Sequence, residues 1–180
     1  YIILAPCLFY NYDIFQLGVS NKDGSFIESI NSGGGLAQQE YRESDTGILT
    51  TTIDSKIAEL GINYPGNDHK RIWVIKVDVE HYELKFLQGA INTIIKHKPI
   101  ILLEAHDTEE LQSYDNFFEK HNLSYTQLVN VKVGGFPTYA YIPIEEKEYI
   151  SNELVDWIKN YSVVARRYNC IFATNDKNWR

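Results

Sequence analysis

The chain has 180 residues and a formal charge of −7, which is enough length for one domain with a buried core. The acidic balance excludes the basic footprint of a nucleic-acid binder and is repelled by an anionic membrane surface. Two cysteines without a Cys-x-x-Cys pair exclude a disulfide framework or cysteine zinc site, and no apolar run reaches transmembrane length.

Residues 1–11 (YIILAPCLFYN) fit a strand or a short helix and lack the basic leader of a signal peptide. Residues 13–19 (DIFQLGV) read as a strand. It is followed by the turn Asn21-Lys22-Asp23-Gly24, where Asn and Gly tolerate positive φ. Residues 25–30 are expected to pair back as a hairpin. Ser32-Gly33-Gly34-Gly35 opens a polar loop to about Asp45. Residues 49–53 (LTTTI) are a strand by composition, Asp54 caps a helix to Leu60, and Gly61 ends it. Residues 64–70 form a loop.

The centre of the chain is a strand–helix–strand unit over residues 71–106. Residues 72–79 are apolar and β-branched, long enough for a strand and too short for a buried helix. Residues 82–96 are amphipathic, with Leu84, Leu87, Ile91, Ile94 and Ile95 on one helical face. Pro99 opens a second apolar run, residues 100–103. Alternating strands and helices predict a parallel sheet. Side chains alternate along a strand, so Ile72, Val74, Lys76, Asp78 and Glu80 share one face, and Ile100, Leu102, Glu104 and His106 share one on the next strand. If these strands are neighbours, Asp78, Glu80, Glu104 and His106 gather at their carboxyl ends with His81 beside them. Open α/β sheets bind ligands there.

Downstream, Asp107 and Glu110 make a capping box for a helix to about His121, burying Leu111, Tyr114, Phe117 and Phe118. Residues 125–133 and 136–142 flank Gly134-Gly135, a hairpin signal. Residues 145–161 read as a helix, and residues 168–173 (YNCIFA) as a closing strand. One domain spans 1–180.

The run KVDVEHYELKFLQGA followed by KPIILLEAH resembles the FkbM-type family of S-adenosylmethionine-dependent methyltransferases. Lys76, Asp78, Glu80, Glu83, Gly89, Ala90, Lys98, Pro99 and Glu104 match its pattern in order and spacing, with GVSNKDG, NSGGG and Thr52-Ile53-Asp54 in family order upstream. His81 stands where the family usually has Gly. The resemblance implies an α/β, Rossmann-like class I methyltransferase sheet, mostly parallel with a C-terminal antiparallel hairpin. It also implies S-adenosylmethionine as cofactor and a hydroxyl acceptor on a sugar, glycolipid or secondary metabolite. The family's Asp-x-Gly-x-x-x-Gly loop is not found before Asp13, and the chain has no methionine. Both point to a domain truncated at its N-terminus, expected to bind the cofactor weakly or not at all. A cytoplasmic location is the default.

Asp78, Glu80, His81, Glu104 and His106 are the candidate catalytic residues, as orienting carboxylates and bases. Ser20 and Asn21 are candidate cofactor contacts. Each acid also has a structural reading: Asp78 or Glu104 pairs with Lys76, and Glu80 and Glu83 favour a helix N-terminus. The five candidates can also be read as ligands of a divalent ion, which would make the domain a metal hydrolase, but their spacing matches no standard signature, so this is the least favoured reading and no metal is assigned. Tyr139 and Tyr141 suit core packing better than sugar stacking. The rival to the enzyme is a non-catalytic Rossmann-like binding or scaffolding module, motivated by the missing glycine loop and by His81.

Overall fold

The computed structural model describes residues 2–5, 13–31, 39–62, 71–132, 137–144 and 169–174, with side chains for 15–28, 42–62, 71–127 and 138–144. In chain order they form strands β1 (Ile2–Ala5), β2 (Asp13–Phe15), β3 (Gly18–Val19), β4 (Phe26–Asn31), β5 (Gln39–Ser44) and β6 (Ile48–Thr51), then helix α1 (Ile53–Glu59) and strand β7 (Ile72–Asp78). Helices α2 (Glu83–Gly89) and α3 (Ile91–His97) lead to β8 (Ile100–Glu104). Helix α4 (Thr108–Lys120) and strands β9 (Tyr125–Lys132), β10 (Pro137–Pro143) and β11 (Asn169–Thr174) complete the order.

The main sheet runs β2-β1-β11-β7-β8-β10-β9, and a smaller one runs β3-β6-β4-β5. In the main sheet only β11–β7 and β7–β8 pair in parallel, and the other four pairings are antiparallel. The fold is therefore mixed α/β rather than mostly parallel. Connection length is the reason. Parallel neighbours need a long crossover, which α2 and α3 supply between β7 and β8, whereas the short link between β9 and β10 permits only an antiparallel pair. The expected C-terminal hairpin is present as β9–β10, with β10 against β8. Its glycine turn and the expected helix over 145–161 lie outside the described residues.

Ile75, Val77, Ile101 and Leu103 are fully buried and pack with Phe86, Leu87 and Ile94 of α2 and α3. The expected single helix over 82–96 is broken at Ala90, whose φ of −113° and ψ of 8° leave the helical region. The break rotates the second half, so Ile94 stays fully buried while Ile95 is 50% exposed. Asp54, which belongs to the first turn of α1, explains part of the break. Its carboxylate accepts from the backbone N–H groups of Asn92 and Thr93 (2.9 and 2.7 Å), capping α3 from another helix. The N-cap of α1 is Thr52, not Asp54: its hydroxyl accepts from the Ser55 N–H at 3.1 Å. Asp23 ties the preceding turn to this helix start, accepting from the Thr52 N–H at 2.7 Å and from the Ser55 hydroxyl at 2.6 Å. The Ser55 bond, then the Thr52 N–H, hold the Asp23 carboxyl below the usual carboxylate range.

Three further expectations change. The strand over 13–19 splits into β2 and β3, which lie in different sheets. Residues 26–31 pair with β5 and β6 instead of folding back on 13–19. The polar loop gives way to β5 from Gln39, an edge strand rich in charged residues.

Among the described glycines, Gly89 is the one most closely met by its neighbours. A Cβ there would lie 2.2 Å from the Ser20 carbonyl oxygen and 3.3 Å from the Asn21 Cα. Both neighbours are backbone, so Gly89→Ala should cost about 2–3 kcal/mol by overpacking, beyond any gain in helix propensity. Urea denaturation measures this directly, and a variant at least as stable as wild type would refute the close approach.

His97 is 1% exposed, and its Nδ1 accepts from the Ile72 N–H at 3.1 Å. Burial, then the charges of Lys96 and Arg71, push its pKa down to about 4. In the unfolded chain it titrates near 6.5, so between these values the unfolded chain binds more protons. Its contribution is intact above pH 6.5 and is lost as the pH falls toward 4, in all about 2–3 kcal/mol. His97→Asn keeps an acceptor and should flatten that acid arm in urea titrations. An unchanged arm would assign it to another group.

Candidate active site at the carboxyl ends of two strands

Strands β7 and β8 pair in parallel through Lys76↔Leu102 and Val77↔Leu103, so one residue further on Asp78 stands beside Glu104. The Lys76 Nζ lies 2.5 Å from Asp78 Oδ2, with side chains only 14% and 28% exposed. Glu104 is 8% exposed and hydrogen-bonds Asp78. Burial first, then the Asp78 hydrogen bond and charge, push Glu104 up to about 8, while Lys76 opposes the rise and Glu80 adds to it. At neutral pH Glu104 therefore keeps its proton, facing Asp78. Tyr114 fixes the end of β8 by donating its hydroxyl to the Glu104 carbonyl at 3.0 Å.

Beyond β7 the backbone turns left-handed at two consecutive residues, Glu80 at φ 50° and His81 at φ 68°. This is costly for a residue with a Cβ, and glycine would adopt it without that cost. The Val79 N–H holds the turn by donating to Glu83 Oε1 at 2.9 Å. Burial pushes the Glu83 carboxyl up, although the Val79 N–H opposes it.

The turn directs His81 Nδ1 onto Glu110 Oε1 and sets its ring 4.3 Å from that of His106, centroid to centroid. Glu110 Oε2 accepts from the His106 N–H at 2.8 Å and lies 3.2 Å from His106 Nδ1. His106 Nε2 lies 3.6 Å from Glu80 Oε2. Burial pulls His81 down, but the hydrogen bond and charge of Glu110, with Glu83 and Glu80, leave its pKa raised. Burial likewise raises Glu110, and the His106 N–H and both imidazoles outweigh it and hold the carboxyl low.

The five predicted catalytic residues thus fall into two adjoining groups. Asp78 and Glu104 form a carboxyl pair on Lys76, and His81 and His106 converge on Glu110, with Glu80 near both. Glu110 is the residue that sequence reasoning missed. It was legible only as half of a capping box, although His106 and Glu110 stand four apart at the start of α4. Asp107 does cap α4, accepting from the N–H groups of Glu109 and Glu110. Tyr141 belongs to the core, 2% exposed, with its hydroxyl donated to Asp115 at 2.8 Å.

Ser20 and Asn21 lie against α2. The Ser20 N–H donates to the Thr51 carbonyl at 3.1 Å, its own carbonyl abuts Gly89, and the Asn21 amide donates to Gln88 at 2.7 Å. A sulfonium methyl donor asks for anionic groups near its cation and a backbone cradle for its nucleoside. The carboxylates around Asp78 and Glu80 meet the first demand. Among the described residues the Ser20 backbone is engaged by Thr51 and Gly89 of the protein itself, so the donor's cation is matched by the carboxylates rather than by Ser20.

A mixed sheet with acids gathered at the carboxyl ends of two parallel central strands is consistent with an α/β methyltransferase-like fold. Residues 9–127, which include every candidate residue named above, match the family model of the methyltransferase FkbM domain, and the chain belongs to that family. Family membership implies methyltransferase activity and a methyl donor. No curated protein and no solved structure matches the chain. Among the described residues no helix is long and apolar enough to cross a membrane.

Proposed function

We propose that this domain takes a methyl group from S-adenosylmethionine and transfers it to a hydroxyl oxygen of a sugar, glycolipid or secondary metabolite. The observation that carries the proposal is the placement of Asp78 beside Glu104 at the carboxyl ends of neighbouring parallel strands, with Lys76 Nζ 2.5 Å from Asp78 Oδ2. The donor, when bound, supplies an electrophilic methyl group. The protein's task is to hold the acceptor hydroxyl in line with that methyl and to remove its proton. Asp78 accepts the hydroxyl's hydrogen bond and then its proton. Glu104 and Lys76, the latter 2.5 Å from Oδ2, fix the orientation of the Asp78 carboxyl.

A second reading is a binding module without turnover. His81 favours it, because its ring occupies space over His106 that the family's usual glycine leaves open. The test is incubation of the protein with methyl-labelled S-adenosylmethionine and a panel of hydroxyl acceptors, beside the Asp78→Asn variant. Label transfer that the variant loses supports the enzyme. Turnover unchanged in the variant removes Asp78 from the mechanism. Acceptor binding without donor binding or transfer establishes the second reading.

A further inference from the structure

The group around Glu110 is not used by the mechanism above. His81 Nδ1, a His106 ring nitrogen and a Glu110 carboxylate oxygen all lie within 4.8 Å of one another. We propose that these three side chains hold a divalent transition-metal ion, zinc foremost, leaving at least one coordination position for water or a hydroxyl ligand. Two imidazoles and one carboxylate are a donor set suited to zinc and its neighbours, and three protein ligands with an open position are the pattern of reactive sites.

The surroundings match what a metal asks of its outer shell. A ligating histidine usually turns its other ring nitrogen toward a carboxylate, and His106 Nε2 faces Glu80 Oε2 at 3.6 Å while its Nδ1 faces Glu110. The Glu110 carboxylate is fixed by the His106 N–H at 2.8 Å. The left-handed turn at Glu80 and His81 places the third donor, His81. This inference goes beyond methyl transfer and does not rest on it.

The experiment strips the protein with a chelator and titrates it with Zn2+ by calorimetry near pH 7.5, then with Co2+ by visible absorption. The expected result is one Zn2+ per chain with micromolar or tighter affinity, on the order of 8 kcal/mol, and Co2+ bands that Zn2+ abolishes. His81→Gly removes a ligand while easing the left-handed backbone, so it should fold at least as well as wild type. Both His81→Gly and Glu110→Gln should weaken binding by more than the roughly 10–100-fold that outer-shell changes cost. His121→Ala, an exposed imidazole at the far end of α4, should leave binding unchanged. Absence of stoichiometric Zn2+ binding in wild type, or wild-type affinity in His81→Gly or Glu110→Gln, would overturn the site. Neither result touches the methyl-transfer reading, whose readouts are donor binding and label transfer.

Discussion

Asp78→Asn should lower kcat for methyl transfer by about 10²- to 10⁴-fold, the range expected on removing a positioned general base, with a smaller change in KM. Asparagine keeps the shape of the side chain and can still hydrogen-bond Glu104, but it cannot take the acceptor's proton. The competing role for Asp78 is neutralising Lys76, 2.5 Å away on the same strand face. That role alone predicts lost stability with turnover intact. The assay should therefore be run well below the variant's own melting temperature. Wild-type kcat in a folded variant would leave Asp78 as nothing more than the partner of Lys76.

Glu104→Gln should remove two pH effects at once. In the folded chain Glu104 titrates near 8 and in the unfolded chain near 4.5. Between those values the folded chain keeps a proton that the unfolded chain has released, so this group makes stability fall as pH rises through that window and adds no slope above it. The loss at pH 8 is about 2–4 kcal/mol, reduced by the sharing of charge with Asp78. Glutamine still donates to Asp78 and does not titrate. The variant should match wild type near pH 4.5 and exceed it by about that amount above pH 8, in urea denaturation at a series of pH values. His97 acts in the opposite sense between pH 6.5 and 4, so the two partly cancel in wild type and only the difference from each variant isolates its group. In the kinetics, wild-type kcat/KM should change through pH 8 as Glu104 ionises beside Asp78, and the variant's should not. A retained step in either measurement would assign it to another group.

The centre of the fold was legible because its signals are local. Residues 72–78 alternate so that Lys76 and Asp78 share a face, and Leu102 and Glu104 follow the same rule one strand away. Parallel pairing then puts the acids together. What stayed hidden depends on partners distant in sequence. The helix breaks at Ala90, where Asp54 caps the next turn and Gly89 meets the backbone of Ser20, and neither contact leaves a trace in the local periodicity. Ile95 fits the apolar stripe of one long helix and becomes exposed only because there are two. Residues 39–44 look like loop because an edge strand needs few apolar side chains when its partner supplies the ladder. Glu110 was read for its place near a helix start, while its actual neighbours, His81 and His106, depend on a left-handed turn that no residue type announces. Ser20 and Asn21 were read as cofactor contacts, and their described contacts within the protein, with Thr51, Gly89 and Gln88, are equally distant in sequence.

The pairing of β11 with β7 has a consequence for how the chain is made. The last described strand lies in parallel register with the strand that carries the site, Thr174 opposite Asp78. On the ribosome β7 and β8 emerge and can pair early, but the other edge of β7 stays open until β11 has been synthesised. Closing that edge is a long-range step, slow because loop-closure entropy must be met before the contacts form. A nascent or C-terminally clipped chain therefore presents an unpaired apolar strand edge, the feature that draws chains into edge-to-edge association. The site strand depends on a strand far downstream in the chain for its protection as well as for its geometry.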